Sequence, residues 1–162
     1  MWCKMVGKDV SSIKVLHFLL QDIRCCLDLQ YVEKIFPLPL LEAIPGSPIY
    51  VAGLMNLHGK CIPVVDLRIC AGLTRDETYP LSIPILLCSD GTHRLGLIVD
   101  RMIGLGEIDK NKIEIHEEFT RSHSPFYGAV TINNGVSLLM DVASLFALKL
   151  TEEMGQVSAD HD

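Results

Sequence analysis

The chain has 162 residues, 49% of them hydrophobic and 21% charged, with a formal net charge of −6. A chain of that length can bury roughly 68–70% of its unfolded surface, which excludes wholesale disorder, and the longest greasy stretch, Val136 to Leu150, is broken by Asp141 and falls short of a membrane-crossing helix. The acidic balance leaves no electrostatic footprint for nucleic acid or for direct insertion into an anionic membrane.

A mean hydropathy of +0.31 must then come from many short buried segments, which leans toward β structure. Residues 1–12 show no clear period, and the tail 151–162 is polar and acidic, so both are expected to be loosely ordered. Ile13–Leu20 and Ile23–Leu29 read as strands about the turn Gln21-Asp22, and the apolar pattern continues through Val32, Ile35 and Phe36. Pro37, Pro39, Pro45 and Pro48 force a long, partly extended connection. Leu54–Leu57 and Cys61–Val65 form a predicted hairpin around His58-Gly59-Lys60, and Asp66 and Gly72 bracket one or two helical turns as N-cap and C-terminal stop. After the connection 74–80 come strands Ile83–Cys88 and Leu95–Val99 about Asp90-Gly91. A looser polar stretch follows from Ile108 to Pro125. Ala129–Ile132 and Val136–Met140 then flank Asn133-Asn134-Gly135, and Asp141 caps a helix from Val142 to about Leu150.

The pattern repeats. A shift of 70 superposes Leu16 on Leu86, Arg24 on Arg94, Leu27 on Leu97 and Val32 on Met102; a shift of 75 superposes Gly53 on Gly128, Val64 on Leu139 and Asp66 on Asp141. Gly53 and Gly128 are therefore expected at equivalent turns, and Asp66 and Asp141 at equivalent helix caps. Two small barrels sharing a hydrophobic seam are the economical solution, because closure removes exposed strand edges. The first is placed at about 13–73 and the second at about 82–150.

A search for reaction chemistry finds no site. Gly104-x-Gly106 lacks the third glycine of a dinucleotide loop and reads as a turn. His116, Glu117 and Glu118 are adjacent in sequence, so they diverge on any regular element and read as a solvated acidic loop. Cys3, Cys25, Cys26, Cys61, Cys70 and Cys88 include no C-x-x-C, and the N-terminus lacks a signal-peptide h-region. The cysteines are read as reduced, mostly buried packing residues of a cytoplasmic protein. Cys25-Cys26 lies in a strand, which points one sulfur inward and one outward. His17, His93 and His123 are isolated. Val32, Ile35, Met55 and Leu57, placed on presumed loops and turns, suit a binding platform rather than an enzyme.

The segment from Pro45 to Arg68, with Tyr50-Val51-Ala52-Gly53-Leu54, Asn56-Leu57-His58-Gly59 and Pro63-Val64-Val65-Asp66-Leu67-Arg68, closely resembles the signature of CheW-like coupling proteins. Leu95-Gly96-Leu97-Ile98-Val99-Asp100 is similar to the family's second-half strand, so the resemblance spans about residues 13–150. It implies a mainly β fold of two five-stranded SH3-like barrels with short helices and a C-terminal helix. It also implies a non-catalytic, cofactor-free adaptor between the cytoplasmic tips of methyl-accepting chemoreceptors and the regulatory domain of the histidine kinase CheA. By this analogy the partner-binding residues are Val32, Lys34, Ile35, Asn56, His58 and Gly59. Two positions depart from the family pattern. Arginine usually stands where this chain has His58, and an acidic residue often stands where it has Lys34. A fixed bidentate cation has become a titratable ring, which implies a divergent or accessory system with its own matched receptor. A stand-alone kinase-binding scaffold without a receptor partner is the alternative.

Overall fold

Short apolar runs punctuated by turn residues give short strands, and the computed structural model describes them over residues 11–73, 79–118, 124–133, 135–148 and 150. The strands are β1 (Ser12–Leu20), β2 (Ile23–Asp28), β3 (Val32–Pro37), β4 (Val51–Leu57), β5 (Lys60–Asp66), β6 (Pro84–Ser89), β7 (Arg94–Ile98), β8 (Arg101–Asp109), β9 (Glu114–Ile115), β10 (Phe126–Ile132) and β11 (Gly135–Met140). Two short helices, α1 (Leu67–Cys70) and α2 (Val142–Phe146), follow β5 and β11. The molecule is mainly β. No helix among the described residues is long and apolar enough to cross a membrane.

The chain divides into two units, each discontinuous in sequence: residues 1–31 with 100–142, and residues 32–99 with 143–162. Unit 1 has the strand order β8-β1-β2-β11-β10-β9 and unit 2 the order β3-β6-β7-β5-β4. Val15, Cys26, Ile108, Val130 and Leu139 form a core cluster in unit 1. Met55, Ile62, Val64, Ile83, Ile85, Leu87 and Ile98 form one in unit 2. Each such side chain contributes about 1.5–3 kcal/mol by leaving water.

The two registers are copies of one another under the shifts of 70 and 75. In β6–β7, Ile85 faces Ile98 and Ser89 faces Arg94; in β1–β2, Val15 faces Asp28 and Leu19 faces Arg24. In β4–β5, Val51 faces Val65 and Gly53 faces Val64; in β10–β11, Phe126 faces Met140 and Gly128 faces Leu139. The parallel pairs correspond as well, Val64 with Gly96 and Leu139 with Cys26.

The division differs from the contiguous halves 13–73 and 82–150. Each leading hairpin takes its third strand from the other half: β1 pairs with β8 and β6 pairs with β3. The reason is reach. Returning from the end of β2 to the far edge of β1 means crossing two strand spacings, about 10 Å. The link Leu29–Tyr31 is a 3-10 turn, and three residues at about 2 Å each span only about 6 Å. Chain passing from β2 therefore enters the other unit.

Gly53 and Gly128 are equivalent, but they sit at bulges inside β4 and β10 rather than at turns. Gly104 and Gly106 are not a turn either. They lie within β8, with Gly104 at φ +151 and facing His17 across a bulge. A Cβ at Gly106 would meet the His17 ring, with Nε2 2.6 Å away, so a side chain there would require that ring to move. Met55, expected near a loop, is in the core of unit 2. Helix α2 ends at Phe146 rather than near Leu150. It starts directly after Asp141, whose N–H donates to the Pro125 carbonyl at 2.7 Å. Ser12, expected in the loose N-terminal stretch, already belongs to β1; residues 1–10 and 151–162, with Cys3, His123, Asn134 and Lys149, lie outside the described residues.

Candidate protein-binding surface

The residues singled out by resemblance all fall in unit 2, on two elements whose local chemistry exposes them. Strand β4 ends at Leu57, which faces Lys60 across a two-residue turn. His58 (φ 52) and Gly59 (φ 84) are both left-handed, the conformation of a type I′ hairpin, which favours Asn-Gly. The Asn56 side-chain oxygen accepts the Gly59 N–H at 2.9 Å and fixes this loop. The His58 side chain on it is exposed.

The second element is β3, an edge strand of its sheet. Val32 faces Cys88 and Lys34 faces Leu87, so Glu33 is the extra residue of a bulge. The bulge leaves Glu33 and Lys34 both exposed, and Ile35 beside them is 44% exposed. Glu33 accepts from Arg94 at 3.3 Å. That pair is solvent-accessible and contributes about 0–1 kcal/mol. Lys34 and His58 lie on different elements, β3 and the β4–β5 turn, at the two ends of the strand order of this unit.

The far end of β5 carries a cluster that sequence reasoning reached only in part. The Asp66 carboxylate accepts the Arg68 N–H at 3.0 Å and caps α1. The same carboxylate accepts the Tyr79 hydroxyl at 2.8 Å and faces the Arg68 guanidinium at 3.4 Å. That guanidinium stands 5.6 Å from the Tyr79 ring centroid. Tyr79, 13 residues downstream of Asp66, carried no local signal; only a buried aspartate in need of further donors could have pointed to it.

Among the described residues of this unit, the cysteines are not paired with a base. Burial pushes the Cys88 thiol up to about 12, with Glu33 adding to the shift, and burial likewise raises Cys70 to about 12. In unit 1, Cys25 is raised to about 12 and Cys26 is raised too, both chiefly by burial. Both are fully buried, so the expected outward-facing sulfur is absent; strand β2 is central and covered on both faces. His17 meets the Ser137 hydroxyl at 3.3 Å. Burial, then the charge of Arg24, holds its ring below the usual imidazole value. His116, Glu117 and Glu118 are exposed, and no group of three or more metal-ligating side chains occurs among the described residues. His93 is exposed and lies 3.5 Å from the Asp90 carboxylate.

These thiols set a pH dependence. Their folded pKa near 12 exceeds the unfolded value of 9.0, so the unfolded state loses protons first as pH rises. Their contribution is expected to be intact below about pH 9 and to fall toward pH 12, read as urea midpoints across that window. In a Cys3→Ser background, exposed Cys61 should react first with a thiol reagent, and Cys25, Cys26 and Cys88 only on unfolding. Rapid native-state labelling of Cys25 or Cys88 would contradict this.

Unit 2 also contains a cleft of about 600 Å³, where Glu33, Cys61, Pro63 and His93 meet Leu145 and Phe146 of α2.

The family model for the CheW-like domain matches residues 14–149. Chemotaxis protein CheW of Thermotoga maritima is 24% identical over 139 residues, covering 86% of this chain and 91% of that protein. Chemotaxis protein CheW of Klebsiella aerogenes is 24% identical over 156 residues, covering 95% of this chain and 91% of its own length. The crystal structure of the scaffolding protein TtCheW from Thermoanaerobacter tengcongensis is similar, with a TM-score of 0.75 at 25% identity, covering 85% of this chain and 94% of that one.

Proposed function

Because this chain belongs to the CheW-like domain family, we propose that it is a non-catalytic chemotaxis adaptor which couples methyl-accepting receptors to the regulatory domain of the histidine kinase CheA. The observation that carries this reading is the segment Pro45–Arg68. Its signature folds into β4, a tight turn and β5, and so presents His58 and Gly59 to solvent on a rigid hairpin. A loop of fixed geometry on a packed sheet suits recognition by a protein partner, because little entropy is lost on binding. The adaptor would work on the cytoplasmic side, held at the receptor array through its partners. Val32, Lys34, Ile35, Asn56, His58 and Gly59 form the proposed contact surface. We assign the departures at Lys34 and His58 to a divergent or accessory system whose receptor is matched to them.

The test is affinity for the cognate receptor tip and for the kinase regulatory domain, measured with the full chain. His58→Arg is expected to leave melting unchanged and weaken the cognate receptor about tenfold, since a planar guanidinium replaces a compact ring. His58→Asn, which suits the left-handed turn, should instead be stabilising by a few tenths of a kcal/mol, up to about 1. With Lys34→Glu added, a non-additive result means that one partner engages both elements at once. Kinase binding without receptor binding would favour a stand-alone scaffold, and binding of neither would overturn the adaptor reading.

A further inference from the structure

The repeat exposes a difference between the two units at one and the same surface. In unit 2, Glu33, Cys61 and His93 border the cleft that Leu145, Phe146 and Leu148 of the chain's own C-terminal segment help to line. Under the shifts of 70 and 75 their equivalents in unit 1 are Ile103, Val136 and Ile23. An anionic, a thiol and an imidazole side chain have become three aliphatic ones. These are 45%, 54% and 36% exposed. Register places them near one another. Strand β11 runs parallel to β2 with Leu138 beside Cys25, which brings Val136 next to Ile23. Ile103 is the bulged residue beside Phe18 on β8, and Phe18 in turn faces Cys25.

Charge changes with them. In unit 2, Arg94 is neutralised by Glu33 at 3.3 Å. Its equivalent Arg24 has Ile103 where that carboxylate would stand, and Arg24 forms no ion pair among the described residues. Burial and, after it, the positive charge of Arg24 disfavour the protonated form of His17. Exposed aliphatic side chains grouped beside an unneutralised cation have the make-up of a protein-binding patch.

We propose that the Ile23–Ile103–Val136 face of unit 1 docks an amphipathic helix supplied by a partner protein, with apolar residues against the three aliphatics and an acidic residue at Arg24. The occupant follows from the equivalent surface of unit 2, where Leu145 and Phe146 of the helix α2 line the cleft beside these positions, and from the carboxylate missing at Arg24. The proposal does not rest on the adaptor reading, because neither Lys34 nor His58 takes part.

The test uses the isotopically labelled full chain and a synthetic amphipathic peptide of about four helical turns, with Leu and Phe at i, i+3, i+4 and i+7 and Glu along one flank. A scrambled peptide of the same composition is the control. Saturable shifts should map to Ile23, Ile103 and Val136 for the ordered peptide alone. Affinity should fall about tenfold in Ile23→Ser/Val136→Ser and by a smaller factor in Arg24→Gln, with the melting profile confirming that each variant folds. Receptor-tip affinity should not move in either variant. The proposal is overturned if the ordered peptide gives no saturable shifts up to about 1 mM, if the variants bind it equally well, if the scrambled peptide binds as well, or if the shifts fall on the cleft of unit 2. Concentration-dependent self-association that buries the same residues would assign the face to a second copy of the chain and likewise overturn it.

Discussion

Gly53→Ala is expected to lower the free energy of unfolding by about 2–5 kcal/mol, combining backbone strain of about 1–3 kcal/mol with overpacking of about 1–3 kcal/mol. Gly53 has φ +148, a region that L side chains rarely adopt, and a Cβ there would stand 2.6 Å from the Glu42 carbonyl oxygen. That oxygen cannot yield cheaply. It accepts the Leu54 N–H at 2.8 Å, while Glu42 returns its own N–H to Leu54 at 2.9 Å, so the clash falls on the bridge tying the proline-rich connection to β4. Gly128→Ala supplies the internal control. Its Cβ would stand 2.8 Å from the Glu114 carbonyl oxygen, the corresponding contact in unit 1. No left-handed φ adds to the clash there, so the expected cost is nearer about 1–3 kcal/mol. Urea unfolding of both variants checks the order. Equal costs would mean that close approach alone governs both sites, and a neutral Gly53→Ala would mean that the bridge opens freely.

The bulge glycines show what the amino-acid pattern could and could not disclose. Their shift of 75 was visible without coordinates, because a glycine must recur wherever a second backbone lies against the strand. The hairpins were visible through Asp90-Gly91 and His58-Gly59, since turn chemistry is local. Strand β8 was hidden. It is an edge strand whose side chains alternate between exposed and half-buried from Arg101 to Glu107, and its two glycines mimic a loop. The exchange of third strands between the halves was also hidden. It depends on the span of a three-residue link, which no hydrophobic period records. The proposed surface at Lys34 and His58 rests on resemblance, because exposed residues on an edge strand and a turn have no packing pattern of their own. Tyr79 was illegible for the opposite reason: its partner is set by the fold, across a connection whose middle carries no apolar signal.

Asp66 is the second position where a large effect is expected, at the end of β5 opposite the His58 turn. Its carboxylate is fully buried and the Arg68 side chain is 4% exposed. Asp66→Asn keeps the shape and one acceptor for the Arg68 N–H, but it removes the negative charge that faces a buried guanidinium. Breaking a buried pair in this way costs about 3–5 kcal/mol. Asp66→Ala removes the helix cap as well, adding about 0.5–2 kcal/mol. The contacts are not equal: the Tyr79 hydroxyl lies at 2.8 Å, whereas the guanidinium stands at 3.4 Å. A hydrogen bond to a charged acceptor contributes about 1.5–3 kcal/mol, so Tyr79→Phe alone should cost an amount in that range. In the double mutant the two losses should not add, with a coupling of about 0.5–3 kcal/mol, because both remove the same bond. Salt should change these costs little, since screening acts weakly on buried charges. Affinity for the proposed receptor partner separates this role from that of the proposed binding surface: the His58-Gly59 turn is fixed locally by Asn56 at 2.9 Å, so Asp66→Asn should destabilise the protein while the fraction still folded binds as before. Loss of affinity in the folded fraction, with β4 and β5 intact, would instead mean that the strand carries strain from the cluster to the turn.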